Sequence, residues 1–275
     1  MYPKISLNDI TIRQAPYAER FAIARQAGFS GVEIWMEEAR DYARQHGSFD
    51  AVAELFHRYD LRFDQSFLLR DVFSADHTKD RKKFLSYAEA LFHDTKTLGG
   101  KTVVACSTFG WADINKAPKL FAELCDLANS LDLNVALEFI GWAETIKDIK
   151  TAWNIVEKAG RKNGGILYDT FHHFFGGSSL RDLEELPCNY IFSVHIVDAN
   201  EMDLPTIEIS RKHRVFPGKG IIPISEILEI LHSKKYASSI ALELFNEEYW
   251  KRSPLDVASE GFESMTRILS EAGFG

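Results

Sequence analysis

The sequence predicts a single α/β domain, a closed (β/α)8 barrel spanning residues 1–275. Three observations predict it. Short apolar, mostly β-branched runs alternate with stretches of helical period from end to end, which means parallel pairing through helical crossovers. Eight such runs fit into 275 residues, a length at which eight units close into a barrel. An open doubly wound sheet usually carries a glycine-rich phosphate loop after its first strand, and this chain has Asn8-Asp9-Ile10-Thr11 there.

The expected strands lie near 4–8 (KISLN), 31–35 (GVEIW), 61–67 (LRFDQSF), 101–106 (KTVVAC), 134–139 (NVALEF), 164–169 (GGILYD), 191–197 (IFSVHIV) and 238–244 (SSIALEL). Between them, helical periodicity predicts helices over Tyr17–Ala27, Lys79–Leu98, Ala117–Leu131, Ile146–Ala159 and Ser225–Lys234. Gly28, Gly99 and Gly160 stand where helix C-caps are expected. The longest loop-like stretch is about 199–223, after the seventh strand, and loops of that length in compact domains are often functional.

The net charge of −8 sets the surface against nucleic acid and anionic membranes, so neither is expected as a partner. Cys106, Cys125 and Cys188 form no C-x-x-C framework, which argues against disulfides and a thiolate metal site. MYPKISLNDI lacks a basic segment followed by an apolar one, and no window reaches 18 apolar residues; the reading is a cytoplasmic protein. Composition leaves a homo-oligomer open. The G-x-S-x-G elbow, the P-loop, H-E-x-x-H and a dinucleotide fingerprint are missing.

What the chain does carry is four ionisable residues at successive strand ends: Glu138 in LEF, Asp169 in LYD, His195 in SVH and Glu243 in ALEL. A buried carboxylate without a partner costs several kcal/mol. Taken singly, Asp169 reads as a helix cap, His195 as a core histidine and the glutamates as rim charges. Four in register at the end where barrels place their active sites imply a shared partner. Three carboxylates and one imidazole suit one divalent cation, Mn²⁺, Mg²⁺ or Co²⁺, with Zn²⁺ less typical. Alternation puts Ala136, Leu167, Ser193 and Ala241, mostly small residues, on the same strand faces as these four.

Three residues beyond Asp169, His172 reads either as a loop histidine or as a donor to a substrate oxygen, while its neighbour His173 faces elsewhere. Arg214, in HRVFPGKG, is either a solvated cation or a substrate clamp on the long loop, with His213 a weaker candidate. Pro217-Gly218-Lys219-Gly220 would fold that loop tightly. Cys106, ending the fourth strand, reads as a small core residue.

The segments LEFIGW, YDTFHHFFGGSS, VHIVDAN, HRVFPGKG and ALELFNEEYW, in that order and with comparable spacing, resemble those of the xylose isomerase-like TIM barrels. This superfamily holds sugar isomerases, epimerases and endonuclease-IV-type repair enzymes, and the inosose (2-keto-myo-inositol) isomerases resemble the chain most. The resemblance implies that Glu138, Asp169, His195 and Glu243 bind one divalent metal and that the two glutamates also act as acid–base groups. It implies that His172 and Arg214 contact substrate oxygens and that Asn8 lines the site. The segment DQSFLLRDVFSADH, after the third strand, would line the substrate pocket. The activity implied is isomerisation of a small polyhydroxy ketone, a keto-inositol first. A sugar 3-epimerase or a dehydroshikimate-type dehydratase is the alternative. A repair nuclease would need more histidines at strand ends than this chain supplies.

Overall fold

A computed structural model describes residues 3–74 and 79–275. Ala75, Asp76, His77 and Thr78, part of the segment expected to line the pocket, lie outside the described residues. Eight strands carry the fold: β1 (Lys4–Asn8), β2 (Gly31–Trp35), β3 (Arg62–Leu69), β4 (Thr102–Cys106), β5 (Asn134–Glu138), β6 (Gly164–Asp169), β7 (Ile191–His195) and, after the short β8 (Asp198–Ala199) and β9 (Arg214–Val215), β10 (Ser239–Leu242). They close into a parallel barrel in the spatial order β1-β10-β7-β6-β5-β4-β3-β2, with helices between them. The predicted barrel and all eight of its strands are therefore present. The last strand is shorter than expected and stops one residue before Glu243.

The chain packs as two compact units. The first comprises Met1–Asp64, Asp169–Phe171 and Ser193–Gly275. In it β1 pairs with β10 from Lys4↔Ser239 to Leu7↔Leu242, and with β2 from Ser6↔Gly31 to Asn8↔Glu33. β10 pairs with the end of β7, placing Ala241 beside His195. Leu7, Val32, Ile34, Val194 and Leu242 are fully or almost fully buried, as parallel strands covered by helices require. Helices Tyr17–Ala27 and Pro254–Glu271 cover this unit, and Phe29 meets Phe262 edge to face at 5.2 Å.

The second unit comprises Gln65–Tyr168 and His172–Phe192. Here β4 and β5 run in register from Thr102↔Asn134 to Cys106↔Glu138, and β5 and β6 from Val135↔Gly164 to Glu138↔Leu167. Helices Ala117–Asn129 and Ile149–Ala159 bury Phe121, Leu124, Ile155 and Val156. Asp148 starts the latter by accepting the Thr151 N–H at 2.7 Å. The glycines expected at helix ends adopt left-handed backbone, with φ of 109° at Gly28, 78° at Gly99 and 64° at Gly160.

One expectation needs correction. Residues 199–223 are not an irregular loop. They contain helix Thr206–Lys212 and β9, which pairs antiparallel with β8. Asp198 supplies the reason. Its two carboxylate oxygens accept four backbone N–H groups, those of Ala199 (2.8 Å), Gly218 (3.1 Å), Gly220 (2.7 Å) and Ile222 (3.0 Å). The Pro217–Gly220 turn is thus tied to a buried side chain rather than only bent by its glycines. A Cβ at Gly220 would run into the Ala199 carbonyl, so the turn needs glycine there. Among the described residues, no helix is long and apolar enough to cross a membrane.

Candidate metal and catalytic site

Glu138, Asp169 and His195 are the last residues of β5, β6 and β7, and Glu243 follows β10 directly. All four are buried, and each offers one ligand atom within 4.8 Å of the others. The structure thus brings the sequence-predicted ligand set together.

Within the first unit the contacts are explicit. Arg214 Nη1 donates to Asp169 Oδ2 at 3.0 Å and to Glu243 Oε2 at 3.1 Å. Its Nε and Nη2 donate to the Ser210 carbonyl and hydroxyl, at 3.1 and 2.9 Å. The guanidinium stacks over Phe171 and Phe245, with distances of 4.8 and 5.4 Å to the ring centres. Arg214 is therefore no solvated loop cation: it is a buried clamp on two of the carboxylates, held by the strand pairing of β8 and β9. Asp169 divides its oxygens. Oδ1 accepts the Phe171 N–H at 2.6 Å and caps the short helix Thr170–Phe175, while Oδ2 faces Arg214. The helix-cap reading and the cluster reading of this residue are both realised.

His195 is flanked by carboxylates on both ring nitrogens. Nε2 lies 2.9 Å from Glu33 Oε2, and Nδ1 lies 3.5 Å from Glu243 Oε2 and 3.8 Å from Asp169 Oδ2. Burial works against the charged imidazolium, but Glu33 and Glu243 outweigh it and hold the pKa well above the ordinary histidine value. For Glu33 burial dominates and raises the pKa, while His195 opposes it. Sequence reasoning missed Glu33. It sits in GVEIW, a carboxylate inside an apolar strand run, the same signal that singled out the other four.

In the second unit His172 is buried, with Nε2 3.8 Å from Glu138 Oε1 and its ring edge-on to Trp142 at 5.0 Å. The Gly141 N–H donates to Nδ1 at 3.3 Å, which leaves the ring proton on Nε2, the nitrogen nearer Glu138. His173 packs edge-on against Tyr168, and burial lowers its pKa to about 4, so it stays neutral. Cys106 is buried with its thiol on the Ser107 carbonyl, in keeping with a core role. His213 is half-buried and bridges to Asn246. Asn8, expected to line the site, is wholly buried and bonded to Glu33, Trp35 and Ile10. Its Nδ2 donates to Glu33 at 3.1 Å, and its Oδ1 accepts from Trp35 Nε1 at 3.1 Å and Ile10 N at 3.3 Å.

The donor set fits a cation by its chemistry. Glu33, Glu138, Asp169 and Glu243 are four buried carboxylates; Arg214 bonds Asp169 and Glu243, and His195 lies against Glu33. An oxygen-rich set with one imidazole accepts a divalent ion.

Comparison with known proteins shows what the chain is similar to. An inosose isomerase of Bacillus velezensis is 26% identical over 277 residues, 98% of each chain. A 3-dehydroshikimate dehydratase of Pseudomonas aeruginosa is 28% identical over 251 residues, which are 90% of this chain and 39% of that one. A crystal structure of IOLI protein with a zinc atom bound superposes with a TM-score of 0.90 at 25% identity, covering 98% of this chain and 99% of that one. Residues 21–268 match the xylose isomerase-like TIM barrel family, and the chain belongs to it.

Proposed function

We propose that the protein is a divalent-metal-dependent isomerase of a small polyhydroxy ketone, a keto-inositol first. The observation that carries this reading is the buried set Glu138, Asp169, His195 and Glu243, whose ligand atoms lie within 4.8 Å of one another. Full-length similarity to an inosose isomerase supports the substrate class. A cation held there would supply Lewis acidity to a carbonyl and an adjacent hydroxyl oxygen.

The remaining chemistry belongs to the chain's own side chains. Glu138 and Glu243 are the proton carriers: one carboxylate takes the proton from the carbon beside the carbonyl, and the other returns a proton to the adjacent carbon. His172 offers its Nε2–H to a substrate oxygen. Arg214 fixes Asp169 and Glu243 and adds positive charge beside the site where an oxyanion would develop. The buried surroundings exclude water and strengthen each of these interactions.

A second reading has its own support. The chain is also similar to a 3-dehydroshikimate dehydratase, and the same proton abstraction followed by loss of a β-hydroxyl gives a lyase. Incubating Mn²⁺- or Co²⁺-loaded protein with 2-keto-myo-inositol in D₂O separates the readings. Isomerisation gives a product of unchanged formula with deuterium on carbon, whereas dehydration gives a product lighter by one water. Neither exchange nor product, across keto-inositols and ketoses, would overturn the proposal.

A further inference from the structure

Glu33 is a buried carboxylate that the proposed chemistry does not use. Its Oε2 lies 2.9 Å from His195 Nε2 and accepts the Asn8 amide N–H at 3.1 Å. Asn8 is itself fixed, because its oxygen accepts from the Trp35 indole and from the Ile10 N–H. The register of β1 on β2 sets Asn8 directly beside Glu33, so two adjacent strand ends fix the carboxylate before it meets His195 on β7. The other ring nitrogen, Nδ1, is the one turned toward Glu243 and Asp169, at 3.5 and 3.8 Å.

A carboxylate at hydrogen-bonding distance from an imidazole nitrogen takes the proton on that nitrogen as its donor and fixes the tautomer. A lone pair is then left on the opposite nitrogen. We propose, resting on the cation reading above, that Glu33 is a positioning residue. It keeps the His195 ring proton on Nε2 and makes Nδ1 the ligating atom, and Asn8 and Trp35 serve to aim Glu33. Glu33 Oε2 already accepts two hydrogen bonds, which suits an orienting group better than a proton carrier. The proposal also revises Asn8, from a residue that lines the site to one that acts on it through Glu33. Partners of this kind orient a ligating histidine and raise its basicity, and their loss typically weakens metal binding roughly 10–100-fold.

The test pairs nitrogen-15 NMR of the histidine rings with Zn²⁺ affinity measured against a chromophoric chelator; the His195 signals are those lost in His195→Gln. In Zn²⁺-loaded wild type the ring proton is expected on Nε2, with Nδ1 unprotonated. Glu33→Ala should bind Zn²⁺ roughly 10–100-fold more weakly, and Glu33→Gln, which keeps an acceptor oxygen at the same reach, should restore most of that loss. A ring proton on Nδ1 in the loaded protein, or wild-type Zn²⁺ affinity in a folded Glu33→Ala, overturns the proposal. If Glu33→Ala does not fold, the ring measurement on the wild type decides alone. If the wild type takes up no Zn²⁺, the cation reading fails instead. The single proton of the neutral ring at high pH, on Nε2 or on Nδ1, then still decides the role of Glu33.

Discussion

At the N-terminal ends of its strands the first unit half-buries one carboxylate, Asp64, among matched partners. Arg62 donates to Asp64 at 3.2 Å, Ser239 donates to it at 3.2 Å, and Ser6 donates to it as well. Arg62 also reaches the Ser30 carbonyl and hydroxyl, at 2.9 and 2.8 Å. At the C-terminal ends of the same strands, Glu33, Asp169 and Glu243 share Arg214 and His195. One cluster pairs one cation with one anion and has open solvent nearby. The other is shut away from water, with carboxylates beside both ring nitrogens of His195. Both are well hydrogen-bonded, so bonding alone does not set them apart. Burial does, and the buried cluster is the one on which the proposed cation site rests.

Disrupting an ion pair at each end should give unequal effects. Arg214→Ala leaves Asp169 and Glu243 facing each other, and in metal-free protein this should cost about 3–5 kcal/mol of unfolding free energy, measured by urea denaturation. Added Mn²⁺ or Co²⁺ should restore much of the loss. Equal stability of the metal-free variant and the wild type would mean that Arg214 does not offset the two carboxylates. At the chemical level, Glu138→Gln and Glu243→Gln should each lower turnover by at least about 10²-fold, and near-normal turnover with metal retained removes that residue from proton transfer. His172→Ala should lower catalytic efficiency on the order of tenfold or more while leaving metal content intact, the cost of one lost polar contact to substrate.

A third carboxylate lies between the two extremes. Asp9 is buried beside Arg20, with Glu38 sharing the same guanidinium, at 3.3 and 2.7 Å. Burial is the largest influence, and it lifts the Asp9 pKa to about 7 despite Arg20. The protonated form therefore favours the folded state, and that contribution is present at acid pH and lost as pH rises through 7. The stability of Asp9→Asn relative to wild type should accordingly rise between about pH 4 and pH 7 and then level off. A flat difference would mean that Arg20 wins over burial. Asp64→Asn should be the mildest change, about 1.5 kcal/mol from weakened charged hydrogen bonds, with cation binding untouched.

The strands were legible because parallel barrel strands are apolar on both faces, and runs such as TVVAC and NVALE have no other stable place to go. The buried cluster was legible for the complementary reason: Glu138, Asp169, His195 and Glu243 interrupt those runs with ionisable groups that need partners. Glu33 carried the same signal in GVEIW and was passed over. What the chain does not display is convergence. Arg214 finds Asp169 and Glu243 from 45 and 29 residues away, through a small antiparallel pairing that Asp198 anchors with four backbone N–H groups. A polar stretch with glycines and prolines looks the same in sequence whether or not such an anchor organises it. Asn8 shows the converse. A position expected to line the site donates to Glu33, which its strand register places beside it.

The central proposal is that the buried cluster of Glu138, Asp169, His195 and Glu243 at the strand ends is a cation site. Calorimetric titration of metal-stripped wild type with Mn²⁺ or Co²⁺, run in parallel with Asp169→Asn/His195→Ala and with Asp64→Asn, tests it most directly. The account predicts one ion per chain for the wild type and for Asp64→Asn, and loss of that ion in the double variant. Unchanged stoichiometry and affinity in Asp169→Asn/His195→Ala would contradict it.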